Sequence, residues 1–433
     1  MPTRPRTCFI LAALLLAGAP AWPSPGADAV DWLPVVTVAS GGGTKGPWKQ
    51  NDSHYDYVDD GTVAFTPRGA LAVAWADQRR KDVLLQVFGA DGRAQAAPVN
   101  VSRSPATFSW MPRIASSAPG MLYVLWQEII FSGGAHGGDI LFAHSTDGGR
   151  SFSAPRNLSA SRGGDGKGRL DRATWSNGSL DLAAGADGRV FAAWTEYDGA
   201  LWLARSRDAG RSFTLPQRIA GDSARPARGP SIALGPKGQV WLAWTVGEDV
   251  DADIRVSQLG DDGLALAEPV TVGAAGARAD APRLAVGADG RLHLAYMEQV
   301  GRQAPVVRYA QSNGRALAFA APRTVSAQGE AAAAPQLAVD VQGRVHMSWE
   351  AANGVRYTVD AGAGFVPPGA APHGQPGDGS SQGSQQGMLG KKLTAGADDA
   401  IALINSSFTP GRGSRVWLIR GRLTASAGVG YGR

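Results

Sequence analysis

The chain has 433 residues, 44% of them apolar, and a formal charge of +5 that falls to +3 if Arg4 and Arg6 are removed with a leader. This is enough apolar material for a sizeable core, while 58 glycines and 27 prolines argue against long helices and for many short strands joined by tight turns. A weak positive balance without a long basic run excludes a nucleic-acid partner from the expectations.

The N-terminus reads as a Sec-type secretory signal over 1–21. Arg4 and Arg6 precede an apolar run from Phe9 to Leu16, and Ala19-Pro20-Ala21 fits a cleavage site, with a later alternative after Ala29. The run is short of the roughly 20 apolar residues of a spanning helix, and no later stretch is long enough. The expectation is a secreted or periplasmic protein with no membrane span in the mature chain. The single cysteine, Cys8, falls inside the signal, so neither a disulfide nor a thiolate site is expected of the mature chain.

From there one pattern recurs: a short apolar segment, a glycine-containing turn, then an apolar run that ends in an aromatic residue. The copies run from Gly61 to Trp75, Pro112 to Trp126, Leu180 to Trp194, Pro230 to Trp244, Pro282 to Tyr296 and Pro335 to Trp349. The anchor aromatics stand 50 to 53 residues apart except for one interval of 68, and a period near 50 is that of propeller blades. The fold class expected is all-β, a six-bladed β-propeller of four-stranded antiparallel blades, with seven blades as the alternative. Fourth strands are expected at Ala97 to Ser102, Ala154 to Ser159, Leu215 to Ala220, Glu268 to Gly273 and Ala321 to Ser326. One more, Val35 to Ser40, precedes the first repeat and is expected to complete the last blade, at about 335 to 359, because pairing the two chain ends removes exposed sheet edges.

The propeller is thus expected over 30–365. Residues 366–390, rich in Gly, Pro, Ser and Gln, read as a flexible low-complexity linker. In 391–433, Ala400 to Ile404 and Arg415 to Ile419 read as a strand pair that packs on the ring, completes its last blade, or starts a seventh.

A second motif lies between the third and fourth strands of two units. It comprises Ser145, Asp147, Gly149 and Phe152, and again Ser206, Asp208, Gly210 and Phe213; a relic survives at Thr358, Asp360, Gly362 and Phe365. The Asp can accept N–H groups of its own turn, glycine takes the left-handed position, and Phe tucks between strands, so the role expected is structural. The spacing S-x-D-x-G-x-x-F resembles the Asp-box, or BNR repeat, of sialidase-like propellers, and the resemblance covers roughly residues 34 to 367. It implies that the turns between first and second strands share one face with the Asp-boxes. The other loops would then surround the mouth of the central channel on the opposite face.

On that placement the residues just after the anchors reach the mouth. Asp77, Glu128, Glu196 and Glu298 stand two positions after the aromatic, and Glu350 one after. Candidate ligand-binding residues are Asp77, Arg79, Arg80, Arg113, Arg172, Arg228, Arg283, Glu298, Tyr57 and Trp175, since arginines converging on a mouth can clamp a carboxylate. Long loops are expected at Ile129 to Gly138 and Ser161 to Ser179. His144, His293 and His346 fall inside strands and read as core or strand-face residues. No metal site or cofactor is expected: the run from Asp249 to Asp253 lacks the glycine and distal glutamate of a calcium loop.

Two functions fit. One is a secreted scaffold that binds a glycan, a peptide or an envelope protein at the mouth. The other, implied by the resemblance, is an exo-α-sialidase or related glycoside hydrolase acting on acidic sugars, with catalytic candidates Asp82, Arg79, Glu128 and Glu196. The first repeat departs from the sialidase pattern. Where that family opens with Arg-Ile-Pro, this chain has Asp59-Asp60-Gly61-Thr62-Val63, and two acids would repel a sialic acid carboxylate.

Overall fold

The computed structural model describes residues 29–424 apart from 48, 50–51, 105, 133–134, 160–179, 197–198, 248–249, 315–316, 353 and 373–389; for 129–132 and 135–138 it describes the backbone alone. The expected signal and most of the low-complexity stretch lie outside these residues.

The protein is an all-β, seven-bladed propeller. Six four-stranded antiparallel sheets follow one another over 58–100, 108–157, 180–220, 227–272, 278–324 and 332–370. A seventh is built from Leu393–Ala395, Ala400–Thr409 and Gly413–Leu423, and the chain's beginning closes it: both Val30–Trp32 and Val36–Gly41 pair with Gly413–Leu423. The count is therefore seven, not six. The early strand closes the sheet made by the tail rather than the one at 335–359, which has its own outer strand at Gly369–Ala370. The seventh blade lacks what made the others legible. Its innermost strand has three residues, and its tryptophan, Trp417, lies on the third strand opposite Asn405 instead of ending the second.

The anchors occupy matching places. Trp75, Trp126, Trp194, Trp244, Tyr296 and Trp349 are each the fifth residue of a second strand and at most 2% exposed. Each also leaves its indole N–H or hydroxyl without a hydrogen bond, so ring burial outweighs the unmade bond in every copy. Cores form between blades. Ala72, Ala74, Val83 and Leu85 of blade 1 share one apolar cluster with Ile114, Val124 and Trp126 of blade 2. Both faces of a blade are covered this way, which is why apolar residues stand at consecutive positions.

The innermost strands of five blades break register at one level. Asp60, Met111, Gly229, Ala281 and Ala334 have φ between +50° and +60°, and a glycine or proline follows each. The pairing slips there, between Asp59 and Thr62 and between Asp280 and Arg283, for example. A bulge of this kind re-aims the side chain beyond it. Here it directs Arg113 and Arg283 to the axis of the ring.

The two Ser-Asp-Gly-Phe hairpins behave alike. Ser145 Oγ donates to Asp147 Oδ1 (2.8 Å) and accepts from Gly149 N (2.9 Å); Ser206, Asp208 and Gly210 repeat both distances. The hydroxyl and amide of Ser212 hold the Asp208 carboxyl down at about 2. A Cβ on Gly210, at φ +83°, would come within 2.7 Å of the Phe142 ring, so the position requires glycine for both shape and space.

Removing residues 29–41 would strip the outer pairing from Gly413–Leu423 and leave an unpaired edge. The shortened protein is expected to self-associate on size exclusion and to lose a single cooperative calorimetric transition. A monomer that melts as the full chain does would contradict closure by the N-terminal strands.

Candidate functional site at the channel mouth

Strand ends converge at the mouth, and their polar side chains fall into three groups. The first is inside the ring. Arg113 (1% exposed) donates from Nε to Leu180 O (3.0 Å) and from Nη1 to Pro112 O (2.9 Å). Arg283 donates to Gly390 O (3.2 Å), and Lys391 reaches across from the start of blade 7 to Asp181 of blade 3 (3.1 Å). Burial lowers Arg283 to about 10, with Asp181 drawing it up and Arg113 pushing it down. These groups tie non-adjacent blades together through the axis.

The second group lies over blades 4 to 7 and consists of ion pairs. Arg228 pairs with Asp280 at 2.7 Å and Arg278 with the same carboxylate at 3.2 Å. Arg308 pairs with Glu298 (2.6 Å), Arg356 with Glu330 (2.7 Å) and Lys392 with Glu350 (3.2 Å).

The third group, on blades 1 and 2, differs in kind. Its carboxyls are held mainly by hydroxyls and amides. Asp82 accepts from Asn100 Nδ2 (2.7 Å), Ser102 Oγ (2.8 Å) and Ser104 N (3.1 Å), while Glu128 accepts from the hydroxyls of Ser104 and Thr107. Ser104 therefore bridges the two. Burial raises Glu128 above the ordinary carboxyl range, and those hydroxyls offset part of the rise.

Closer to the axis, Asp59 is partly exposed and Asp60 is buried. Gln78 organises this corner: its amide donates to Asp59 Oδ1 (3.3 Å) and accepts from Trp110 Nε1 (2.7 Å), and its N–H donates to Tyr57 O (2.9 Å). Asp60, in the strained left-handed conformation, accepts from Met111 N (3.3 Å). Burial lifts both carboxyls. Asp59 is raised well above the usual range, with Asp60 adding repulsion and Gln78, Lys45 and Lys392 opposing; Asp60 is raised too, opposed by Arg113 and Lys392. Two neighbouring carboxyls raised by burial thus stand together at one corner of the mouth.

The sequence candidates scatter over these groups. Asp82 and Glu128 come together; Asp77 lies opposite Asp82 across the hairpin and is raised by burial. Arg79 and Arg80 are exposed on the turn between them, with Arg80 3.5 Å from Asp77. Tyr57 is 3% exposed and packs on Tyr55 (5.7 Å) and Phe408 (5.3 Å). Arg113 and Arg283 are in the axis, Arg228 and Glu298 are in ion pairs, and Glu196 is buried on blade 3. Arg172 and Trp175 lie outside the described residues. The stretch at Ile129 to Gly138 is not a loop: Leu122–Ser132 and Ala135–Ser145 continue as one hairpin paired up to Ser132 and Ala135. Sequence reasoning had weighed Asp59 and Asp60 only as missing arginines and had passed over Gln78, Trp110, Lys391 and Lys392. Among the described residues no group of three or more His, Cys, Asp or Glu is placed to hold a metal ion. No helix among them is long and apolar enough to cross a membrane.

Neither a family model nor a curated protein matches the sequence. Solved structures do match the fold. An ulvan lyase of polysaccharide lyase family PL25 superposes with a TM-score of 0.55 at 13% identity, covering 88% of this chain and 95% of its own. The polysaccharide lyase Uly1 gives 0.52 at 10% identity, covering 88% and 92%. A Hadza microbial sialidase matches more loosely, 0.44 at 12% identity over 68% and 63%. The fold is thus shared at low identity and is not specifically that of sialidases.

A carboxyl whose affinity is raised by folding disfavours the folded state once it must ionise. Its penalty is absent below the unfolded value near 3.9 and complete above the raised folded value. Asp59→Asn is therefore expected to flatten the loss of stability as pH climbs from about 4 through neutrality. Urea unfolding across that range checks this, and parallel curves for the two proteins would contradict the assignment.

Proposed function

We propose that the protein is a carbohydrate-active enzyme that cleaves a polysaccharide lying across the mouth above blades 1 and 2, rather than a passive scaffold. The observation that carries this reading is the adjacent pair Asp59 and Asp60 at the mouth, both raised by burial, with Asp59 held by Gln78, which Trp110 fixes in turn. Hydrolysis and β-elimination of a glycoside both need a proton delivered to the departing oxygen. Asp59, partly exposed and slow to ionise, is the acid of this reading; Asp60, steadied by Arg113 and Lys392, is the fixed negative charge beside it. Positive charge for an acidic sugar comes from Arg79 and Arg80, exposed on the turn after Asp77. A three-arginine clamp forms no part of it, since Arg228 is engaged by Asp280 and Arg113 by backbone carbonyls. The likeness to polysaccharide lyases of the same fold agrees with a glycan substrate; a PL25 ulvan lyase has been seen bound to -[GlcA(1-4)Rha3S]-.

Incubation with a panel of uronate-containing and neutral polysaccharides is the test, following both new reducing ends and the ultraviolet absorbance of unsaturated uronates. Cleavage is expected, and Asp59→Asn should lower kcat by about 10²–10⁴-fold with the fold intact. Full activity in that variant would remove Asp59 from the mechanism. Binding without cleavage across the panel would favour the scaffold.

A further inference from the structure

Two sister blades carry the same buried pair. In blade 6, His346 Nδ1 meets Tyr357 Oη at 2.7 Å, and its Nε2 meets Asp340 Oδ2 at 3.0 Å. In blade 5, His293 Nδ1 meets Tyr309 Oη at 2.7 Å. The turns beside them match. Asp340 N donates to Arg344 O (3.1 Å) and accepts from Gly343 N through its carbonyl (3.0 Å); Gly287 makes the same bonds with Arg291 O (2.9 Å) and Gly290 N (2.9 Å). Gly287 thus stands where blade 6 has Asp340. A Cβ built on it would lie 3.2 Å from His293 Nε2. The histidine has kept its tyrosine and lost its carboxylate.

Beside this histidine lies a cavity of about 750 Å³ between blades 5 and 6, on the face opposite the mouth. His293 is 3% exposed and lines it, and among the described residues Nε2 has no hydrogen bond. In blade 6 the acceptor Asp340 requires the proton on Nε2, which leaves Nδ1 to accept from Tyr357. In blade 5 no such side chain fixes the tautomer; a carboxylate oxygen at Nε2 would select the same one, with Nδ1 accepting from Tyr309 and an N–H directed into the cavity. Arg291 and Arg323 stand at its rim, paired with Asp289 (3.4 Å) and Asp360 (3.3 Å), and Arg323 lies over the Tyr309 ring (5.3 Å). Arg291 and Asp289 are each more than half exposed, so this pair is weak and open to exchange.

We propose that this cavity binds a small carboxylate ligand, whose oxygen takes the place of the absent Asp side chain on His293 Nε2 and whose charge is shared with Arg291. The volume accommodates a sugar acid as well as a simpler organic acid. Burial keeps His293 neutral, down at about 4, so it serves as a neutral donor at physiological pH.

The experiment is a titration of the full chain with sodium acetate, sodium glucuronate and glucose, following the histidine ring nitrogens by ¹⁵N NMR. A saturable shift of His293 Nε2 with one or both carboxylates is expected, with His346 and the glucose titration silent. Response to glucuronate alone would assign a sugar acid, and response to acetate as well a general carboxylate site. Gly287→Asp supplies the missing side chain internally, displacing Asp289, whose oxygen lies 2.7 Å from the new Cβ; it should abolish the response. If that variant fails to fold, His293→Phe should lose the binding heat seen by calorimetry with wild-type protein. No saturable shift with either carboxylate, or a response that survives these substitutions, would overturn the proposal.

Discussion

Everything in this molecule depends on each sheet being covered on both faces by its neighbours, all the way round. A single blade cannot bury its apolar side chains, and an open row of blades would leave two faces and two edges in water. Closure through Val30–Trp32 and Val36–Gly41 onto Gly413–Leu423 removes that problem. It also makes the beginning and end of the described chain one structural unit. The six buried anchors, of a size at which truncation to alanine typically costs about 3–5 kcal/mol, reward the ring only once their neighbours are in place. The unpaired N–H of each indole is tolerable for the same reason.

The bulges of the innermost strands convert that ring into a site. Non-glycine residues at positive φ cost roughly 1–2 kcal/mol each, and Asp60, Met111, Ala281 and Ala334 all accept this at the same level. Such strain persists where the surroundings over-determine it. Here it turns Arg113 and Arg283 inward around Asp181, which Lys391 also reaches from the start of blade 7, so the axis links blades that are not neighbours in the ring. The same device in blade 1 carries an acid instead of a small residue. Asp60 is thereby brought against Arg113 and Lys392, while Asp59 remains at the rim, held by Gln78, with Lys45 and Lys392 lowering its proton affinity only in part.

This explains what could be read in advance and what could not. Repetition is a local property, so six blades announced themselves through Trp75 and its counterparts; of the acids after the anchors, Asp77, Glu196, Glu298 and Glu350 lie at or beside strand ends, whereas Glu128 lies inside Leu122–Ser132. The seventh blade was legible only as a strand pair at 400–404 and 415–419, because Trp417 sits on the wrong strand for the pattern and the inner strand is only three residues long. The proton affinity of Asp59 was illegible for a different reason. It depends on Gln78 from the next strand and, through Asp60, on Arg113 from the next blade and Lys392 from the last. A long-range sum of that kind has no signature in spacing. The doubled acid Asp59-Asp60 was visible, but a comparison built around missing arginines assigned it only a repulsive meaning.

Repetition also supplies an internal control that a unique fold lacks. When sister units share a geometry, a residue missing from one copy marks a position whose physical requirement is already known from the other. The Asp hairpins show the conservative case, where Ser206, Asp208 and Gly210 repeat the bonds of Ser145, Asp147 and Gly149 to the same distances. Blade 1 and blade 5 show the divergent case. In the first, an added acid creates a charge that the neighbouring blades only half neutralise; in the second, Gly287 removes a carboxylate and leaves its histidine facing an empty volume. Structural neighbours impose the backbone at both places, so the chemistry changes there without loss of the ring. Function in such a scaffold is therefore to be sought where a copy deviates, because that is where a polar group has been left for something other than the fold to satisfy.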